Sequence, residues 1–594
     1  MTPFILLFPI LLAMGIITTV RYLAARYAKY IALAGSLASL ALLPLVGYGS
    51  YSLTWFSFSG ISIGISSVIA PLNMLLLAIV LIVAPIILFY SFGFMQTLSE
   101  QRRFYIEMLG FEAAMLLFAM AGDLVTLFIA WEFLSLLSYL LIGFWHTRES
   151  ASRAARKAIT IVLIGDIAVL ASIAIFWSLY HSLSLIAILS VTPSNMAYLY
   201  LAAILMIIAI ITKSAQFPFQ EWLPDAMEGP TPVSAFLHST TMVKAGVFAM
   251  LLLYPLFYAT KTLWILVLLG GITAVLSTLN AMKETQIKRV IAYSTVQELS
   301  LMIIAAGSGA IVACLYFFLA QSFYKALLFF SSGSAMKASG EEDLNKVSGL
   351  GANRLLYITT IFGVLALAGF IPFAGFFINL GIGSSLLSNV YAYALISLIS
   401  LSTSFFIFRW FLLASKKPLT IKTELSYSAL PKSMLYSSAI VLAFLLLSSF
   451  AFFYLPNFLS SSFSIQSFKF AAPNISYFDA VIETCIVAIG ALASYLIYKK
   501  KKSLRNAALI YTVYNARLVN GAYAHFSKYF CGFAEGFMTL DSYINDAFDG
   551  LGKMTILSGE ELRKVTSGSI NLYLAVFSIM VVILLSYIYF SGVL

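Results

Sequence analysis

Apolar runs of about 20 residues, the length of helix that crosses a bilayer, recur along almost the whole chain, and no other feature limits its fold so strongly. Of the 594 residues, 61% are apolar and 10% are charged. Soluble domains run at roughly 45–50% and 25%. A soluble core stops growing at about 250–300 residues, so the excess has nowhere to go but lipid. The runs predict an all-α integral membrane protein with about 16 transmembrane helices. They lie near 3–21, 27–47, 69–95, 104–122, 123–145, 157–178, 197–217, 230–254, 262–281, 288–307, 309–331, 355–377, 388–414, 435–455, 478–498 and 568–591. The first run has no basic leader and no small-residue cleavage site, so it reads as a spanning helix rather than a signal peptide.

A net charge of +11 invites a nucleic-acid reading, which the distribution of that charge rejects. All but six of the 35 Lys and Arg residues fall in loops after odd-numbered helices, from Arg21 and Arg26 to Lys499–Lys502. Lys261 and Lys469 lie in even loops, and Lys213, Lys244, Lys325 and Arg409 lie within helices. Basic loops stay in the cytoplasm. The expectation is a multi-pass protein of the cell membrane, with cytoplasmic basic loops, both termini outside and no nucleic-acid partner. Cys314, Cys485 and Cys531 are too scattered for an iron–sulfur cluster. No Gly-rich nucleotide loop follows a strand, and with four histidines in all haem ligation is not expected. The chain reads as free of cofactors and metals.

Two helices carry internal breakers, Phe217-Pro218 after one and Gly369 to Gly375, with Pro372, inside the other. Proline removes a backbone hydrogen bond, which lipid tolerates only where the break is buried in protein or lines water. Breaks at matching places in two halves point to an inverted repeat with a site near mid-membrane. They fall on the fourth helix of each of two five-helix groups, although no repeat of identical residues is visible. The chain then divides into helices 1–3 (1–103), a first repeat (104–254), a second repeat (255–414), two more helices (415–498), an amphipathic segment (499–566) and a last helix (567–594). In the segment, Leu504, Tyr511, Tyr514, Leu518, Phe526, Phe530, Phe533, Phe537 and Leu540 recur at spacings that suit a helix along the cytoplasmic membrane face. Fifty residues of helix would reach about 75 Å, farther than one bundle, so neighbouring proteins would lie beneath it. Two shorter interfacial helices, broken at Gly532 or Gly536, fit the periodicity too.

Each charge inside a helix needs a reason, because it costs roughly 2.5–3.5 kcal/mol at the bilayer centre. Glu132, Asp166, Lys213, His238, Lys244, Glu298 and Lys325 are the candidates, with Glu112 and Glu483 also within or near helices. Burial disfavours the charged form of any ionisable group and a nearby opposite charge restores it. Paired acids and lysines in a wet cavity can therefore trade protons as neighbouring charges move. The same residues would also serve as static ion pairs that hold helices together.

The run from Lys213 through Phe217-Pro218, Trp222-Leu223-Pro224-Asp225, Gly229-Pro230-Thr231-Pro232 and His238 to Lys244 is similar to the signature of the antiporter-like subunits of respiratory complex I. The Mrp cation/proton antiporters and membrane-bound hydrogenases share that signature. Trp131-Glu132, Gly165-Asp166, Ile287-Lys288-Arg289 and Tyr324-Lys325-Ala326 also match. A long surface segment before a last spanning helix resembles the L-type subunit. The resemblance implies a proton-translocating subunit of a quinone oxidoreductase complex, with no redox centre of its own. Its partners would be other membrane subunits, including neighbouring antiporter-like ones along the lateral helix. It makes Glu132 the charge that senses a neighbour, Lys213 the proton carrier of the first half, His238 and Lys244 the continuing path, and Lys325 part of the second half. Two rivals remain: a subunit of a Mrp-type cation/proton antiporter, and an ion-driven uptake module for inorganic carbon.

The departures concern the second half. Asn379 and Leu380 stand where the family carries a lysine and then an acid. Phe317 and Gln321 replace two histidines, Gln286 replaces an acid, and Glu298 stands where a glutamine is usual. Either Glu298 and Lys325 form a replacement pair and conduction continues, or the second half is structural.

Overall fold

The computed structural model describes residues 2–499 except 20, 59–60, 97, 191–194, 387–389, 417–425, 428 and 461–476. These belong to a compact unit, Met1–Lys501. A second unit, Lys502–Leu594, holds the expected last helix and all but the first three residues of the expected amphipathic segment, and it lies outside the described residues.

Every expected span up to 478–498 is helical. In chain order the helices are α1 (Leu7–Thr19), α2 (Arg21–Leu42), α3 (Pro71–Phe94), α4 (Leu98–Met120), α5 (Leu124–Ile142), α6 (Glu149–Tyr180), α7 (Leu185–Ser190), α8 (Met196–Lys213), α9 (Trp222–Asp225), α10 (Thr231–Ser239) and α11 (Met242–Leu252). They continue with α12 (Tyr254–Ala259), α13 (Leu263–Lys283), α14 (Ile287–Gly307), α15 (Ile311–Ser339), α16 (Arg354–Ala368), α17 (Ala374–Leu386), α18 (Val390–Ala414), α19 (Lys432–Ser460) and α20 (Tyr477–Lys499). Among the described residues, 12 helices are long and apolar enough to cross a membrane. Exposed Leu, Ile, Phe and Tyr side chains on their outer faces are what lipid, rather than water, would cover.

One element was not anticipated. Between α2 and α3 the chain forms an antiparallel hairpin, β1 (Gly49–Phe58) and β2 (Ile61–Ile69). Its Ser, Thr, Tyr, Phe and Ile content suits strands, and it lies between the expected helices 27–47 and 69–95. The hairpin is tied to the bundle through Asp123. That carboxylate accepts from Ser66 N (3.1 Å) while capping α5 through Thr126 N (2.7 Å), so one side chain fixes both the helix start and the strand.

The helix breaks fall where proline predicted them, with one addition. α8 stops at Lys213 and the chain turns through Ala215, φ 50°. The freed backbone groups are re-satisfied: Trp222 Nε1 donates to Thr212 O (2.9 Å), and Phe217 N donates to Thr273 Oγ1 (2.9 Å). That is the condition for irregular backbone at membrane depth. The second break runs from Gly369, φ 88°, to Ala374. The expected helix end at 377 is corrected there, because the chain resumes as α17 to Leu386. The added break separates α10 from α11 at Thr240 and Thr241, inside the expected helix 230–254. Thr241 Oγ1 donates to Phe236 O (2.7 Å), so hydroxyls that return to the backbone interrupt a helix without any proline.

Candidate functional site

The first cluster gathers on α5, α6 and α8. Lys213 closes the last turn of α8, where the helix dipole favours a cation. Its Nζ donates to Trp131 O (3.0 Å) and Ser135 Oγ (2.6 Å), stands 4.6 Å from the Trp131 ring centre, and lies 3.9 Å from Asp166 Oδ1. Asp166 is held in turn by Trp131 Nε1 (2.6 Å) and Ser135 Oγ (3.0 Å). Lys213 and Asp166 are 0% and 3% exposed, so the pair is cut off from bulk solvent. Gly165 makes this approach possible: a Cβ there would meet Thr212 Oγ1 at 2.0 Å.

Glu132, the residue expected to sense a neighbour, is within electrostatic range of Lys213 and Asp166 but does not join their hydrogen-bonded cluster. It is half-buried and makes no hydrogen bond or ion pair among the described residues. Its neighbours on α5, Ile129, Phe133 and Leu136, are exposed, so it sits at the rim of the bundle while Asp166 occupies the inside. Sequence spacing could not separate the two acids. Ser135 and the Trp131 carbonyl were missed as lysine ligands, although Ser135 lies one helical turn from both Trp131 and Glu132.

The second cluster lies on α14 and α15. Lys325 Nζ is 3.1 Å from Glu298 Oε2 and donates to Ser294 Oγ (2.5 Å). The structure thus brings together the two residues named as a replacement pair. Between the clusters, fully buried Lys244 donates to Phe318 O (2.6 Å) and Ser322 Oγ (2.5 Å) and lies 4.7 Å from the Phe318 ring centre. No carboxylate lies within ion-pair distance of Lys244 among the described residues. His238 sits between Trp222 and Phe329, and both its ring nitrogens lack hydrogen-bond partners among the described residues.

Lys288, of the Ile287-Lys288-Arg289 motif, is also buried. Its Nζ donates to Met227 O (2.5 Å) and Gly229 O (2.9 Å). It borders a cavity of about 320 Å³ that loop residues Arg148, Glu228 and Glu342 also line. At the same end of the bundle, Asp225 pairs with Lys157 (2.6 Å) and Arg289 (3.0 Å). Nearby Glu221, between α8 and α9, is held above the usual carboxylate range by burial, with Lys157 opposing. No group of three or more His, Cys, Asp or Glu is placed to hold a metal among the described residues.

Residues 121–408 match the profile described as NADH:quinone oxidoreductase/Mrp antiporter, TM. Residues 55–105 match that of NADH-Ubiquinone oxidoreductase (complex I), chain 5 N-terminus. The chain is 31% identical to the chloroplastic NAD(P)H-quinone oxidoreductase subunit 5 of Chaetosphaeridium globosum over 89% of its own length and 88% of that protein. Its fold is similar to a chain of the Mrp complex from Dietzia sp. DQ12-45-1b, with a TM-score of 0.74 and 23% identity over 99% of this chain and 63% of that one. It is also similar to a chain of the membrane-bound sulfane sulfur reductase, an archaeal respiratory membrane complex, with a TM-score of 0.64 and 18% identity over 78% of this chain and 99% of that one. With subunit-5 likeness along nearly its whole length and the family core matched by its central helices, the chain belongs to the antiporter-like membrane subunits of the NADH:quinone oxidoreductase/Mrp antiporter family.

Proposed function

We propose that the chain is the L-type, proton-translocating subunit of a complex-I-like quinone oxidoreductase. It would do no electron transfer itself. It would turn a charge or shape change passed on by membrane partners into proton movement. The observation that carries this is a set of buried lysines, Lys213, Lys244, Lys288 and Lys325, of which Lys244 is held by a carbonyl and a hydroxyl with no carboxylate within ion-pair distance among the described residues. Buried ion pairs that merely join helices come with their counterions. A buried lysine without one stays charged only as long as neighbouring charges favour it, which makes it a site for passing a proton on.

Protons would enter from the cytoplasmic loops through the Lys288 cavity, whose volume accommodates several waters. His238, with both ring nitrogens open to hydrogen bonding, would receive them. Lys213 would hold its proton while Asp166 is charged and give it up when that balance shifts. Glu132, at the exposed rim of α5, would feel the neighbouring subunit and set that balance. The lateral segment would run along those neighbours. By the distribution of Lys and Arg, the basic loops face the cytoplasm and the protein lies in the cell membrane.

The complex purified through a tag on this chain tests the reading. Iron–sulfur signals in its dithionite-reduced electron paramagnetic resonance spectrum, together with quinone reduction, are expected. So is dye-detected proton uptake into inverted vesicles, abolished by Lys213→Ala. Small antiporter subunits without iron–sulfur signals would support the Mrp alternative, and a soluble carbon-handling protein would support the uptake module; either result overturns the reading.

A further inference from the structure

The second half lacks the family lysine at Asn379, and the structure shows what that asparagine touches. Asn379 Nδ2 lies 2.6 Å from Glu483 Oε1 and 2.6 Å from Ser400 Oγ. Ser400 Oγ also donates a short hydrogen bond to Glu483 Oε1. Glu483 is 5% exposed and comes from α20, outside both expected repeats. α20 is pressed against α18: a Cβ on Gly490 would meet Leu401 O at 2.4 Å, and Ser404 Oγ donates to Val487 O (2.7 Å). The carboxylate is therefore positioned by close helix packing.

A small cavity joins this carboxylate's ligands to the lysine pair. Its volume is about 20 Å³, and Glu298, Asn379 and Ser400 all line it. That is room for one water. Gln297 Oε1, also on its wall, has no hydrogen-bond partner among the described residues, so the cavity offers a water the polar partners it requires.

We infer that Glu483 takes over the role of the missing lysine, as the terminal proton-carrying group of the second half. The inference rests on the reading of the chain as a proton-translocating subunit. A proton leaving the Lys325–Glu298 pair would pass to a water in the cavity. That water gives a proton to Ser400 Oγ as the Ser400 hydroxyl gives its own to Glu483, so the serine ends unchanged and the carboxylate becomes a carboxylic acid. Asn379 carries no proton; its amide holds Ser400 Oγ and Glu483 Oε1 together. Release follows towards the Tyr477 end of α20, where Asp479 lies one turn away. Glu483 is about 9 Å along the helix from Tyr477 and about 24 Å from Lys499. By the charge rule the Lys499 end is cytoplasmic, so release is to the outside.

The test compares protons moved per quinone reduced in inverted vesicles carrying the intact complex. Glu483→Gln is expected to slow transfer through this chain by roughly 10² or more, lowering the ratio while quinone reduction persists. Glu483→Asp is expected to keep the ratio, and Asn379→Lys in the Glu483→Gln background to restore it. A redox-difference infrared spectrum of the wild type is expected to show a carboxylic C=O band that Glu483→Gln removes. If Glu483→Gln fails to assemble, Ser400→Ala is expected to lower the ratio by itself. A wild-type ratio in Glu483→Gln, or in Ser400→Ala where that variant stands in for it, overturns the inference alone. Wild-type vesicles that reduce quinone without taking up protons overturn the functional reading beneath it.

Discussion

Lys213 and Lys244 are equally buried, yet their surroundings oppose each other. Lys213 sits at a helix C-terminus, where the dipole favours its charge, beside Asp166. Lys244 sits in the first turn of α11, where the dipole disfavours a cation, and its partners are a carbonyl and a hydroxyl. Under the proposed function, Lys213 would retain a proton and Lys244 would hand it on. The Lys213 pair allows stability and transport to be separated. Asp166→Asn leaves a buried ammonium without its counterion, and removing one partner of such a pair costs about 3–5 kcal/mol. A lower melting temperature and loss of proton uptake are expected. Adding Lys213→Met removes the orphaned charge, so the melting temperature should recover while uptake stays lost. Recovery of both would show that the pair merely joins α6 to α8.

The helices position these residues through small side chains at crossings and hydroxyls at breaks. Among the described glycines Gly165 is the most closely approached, with Thr212 Oγ1 occupying the space a methyl group would need. Gly165→Ala is expected to cost about 1–3 kcal/mol by overpacking and to move Asp166 away from Lys213. Proton uptake should then fall more than quinone reduction does. Thr212→Ala removes the clashing oxygen, so the double variant should regain much of both, read by thermal unfolding and dye-detected uptake. The Pro218 and Pro372 breaks were legible because proline has one local meaning inside a helix. The Thr240–Thr241 break was not, because threonine either continues a helix or returns its hydroxyl to the backbone, and packing around Lys244 decides which.

For the molecule as a whole, the alternation of basic loops is the basis for the expected orientation. With Cys314, Cys485 and Cys531 replaced by serine, a cysteine at Ser150 is expected to react with an impermeant maleimide only in inverted vesicles, and one at Lys261 only in intact cells. The opposite pattern would reverse both the orientation and the direction assigned to the proton path. The loop ends are also linked across the sequence, since Asp225 joins Lys157 of α6 to Arg289 of α14. Partly exposed pairs of this kind contribute little each, about 0–1 kcal/mol.

Hydrophobic run length determined the membrane class, the approximate positions of the spans among the described residues and the candidate ionisable residues, because lipid penalises exposed polar groups wherever they fall along the chain. Motif order along the chain then carried the family. Sequence paired Glu298 with Lys325, which the structure brings to 3.1 Å, but it did not pair Asp166 with Lys213. Glu132 and Asp166 are equally plausible partners on paper, and only the packing of α5, α6 and α8 puts Asp166 inside with Lys213 and leaves Glu132 at the rim. Nor did sequence connect Asn379 to Glu483, which is 104 residues away. That contact depends on how closely α20 approaches α17 and α18, and helix approach is set by three-dimensional packing that no local pattern records.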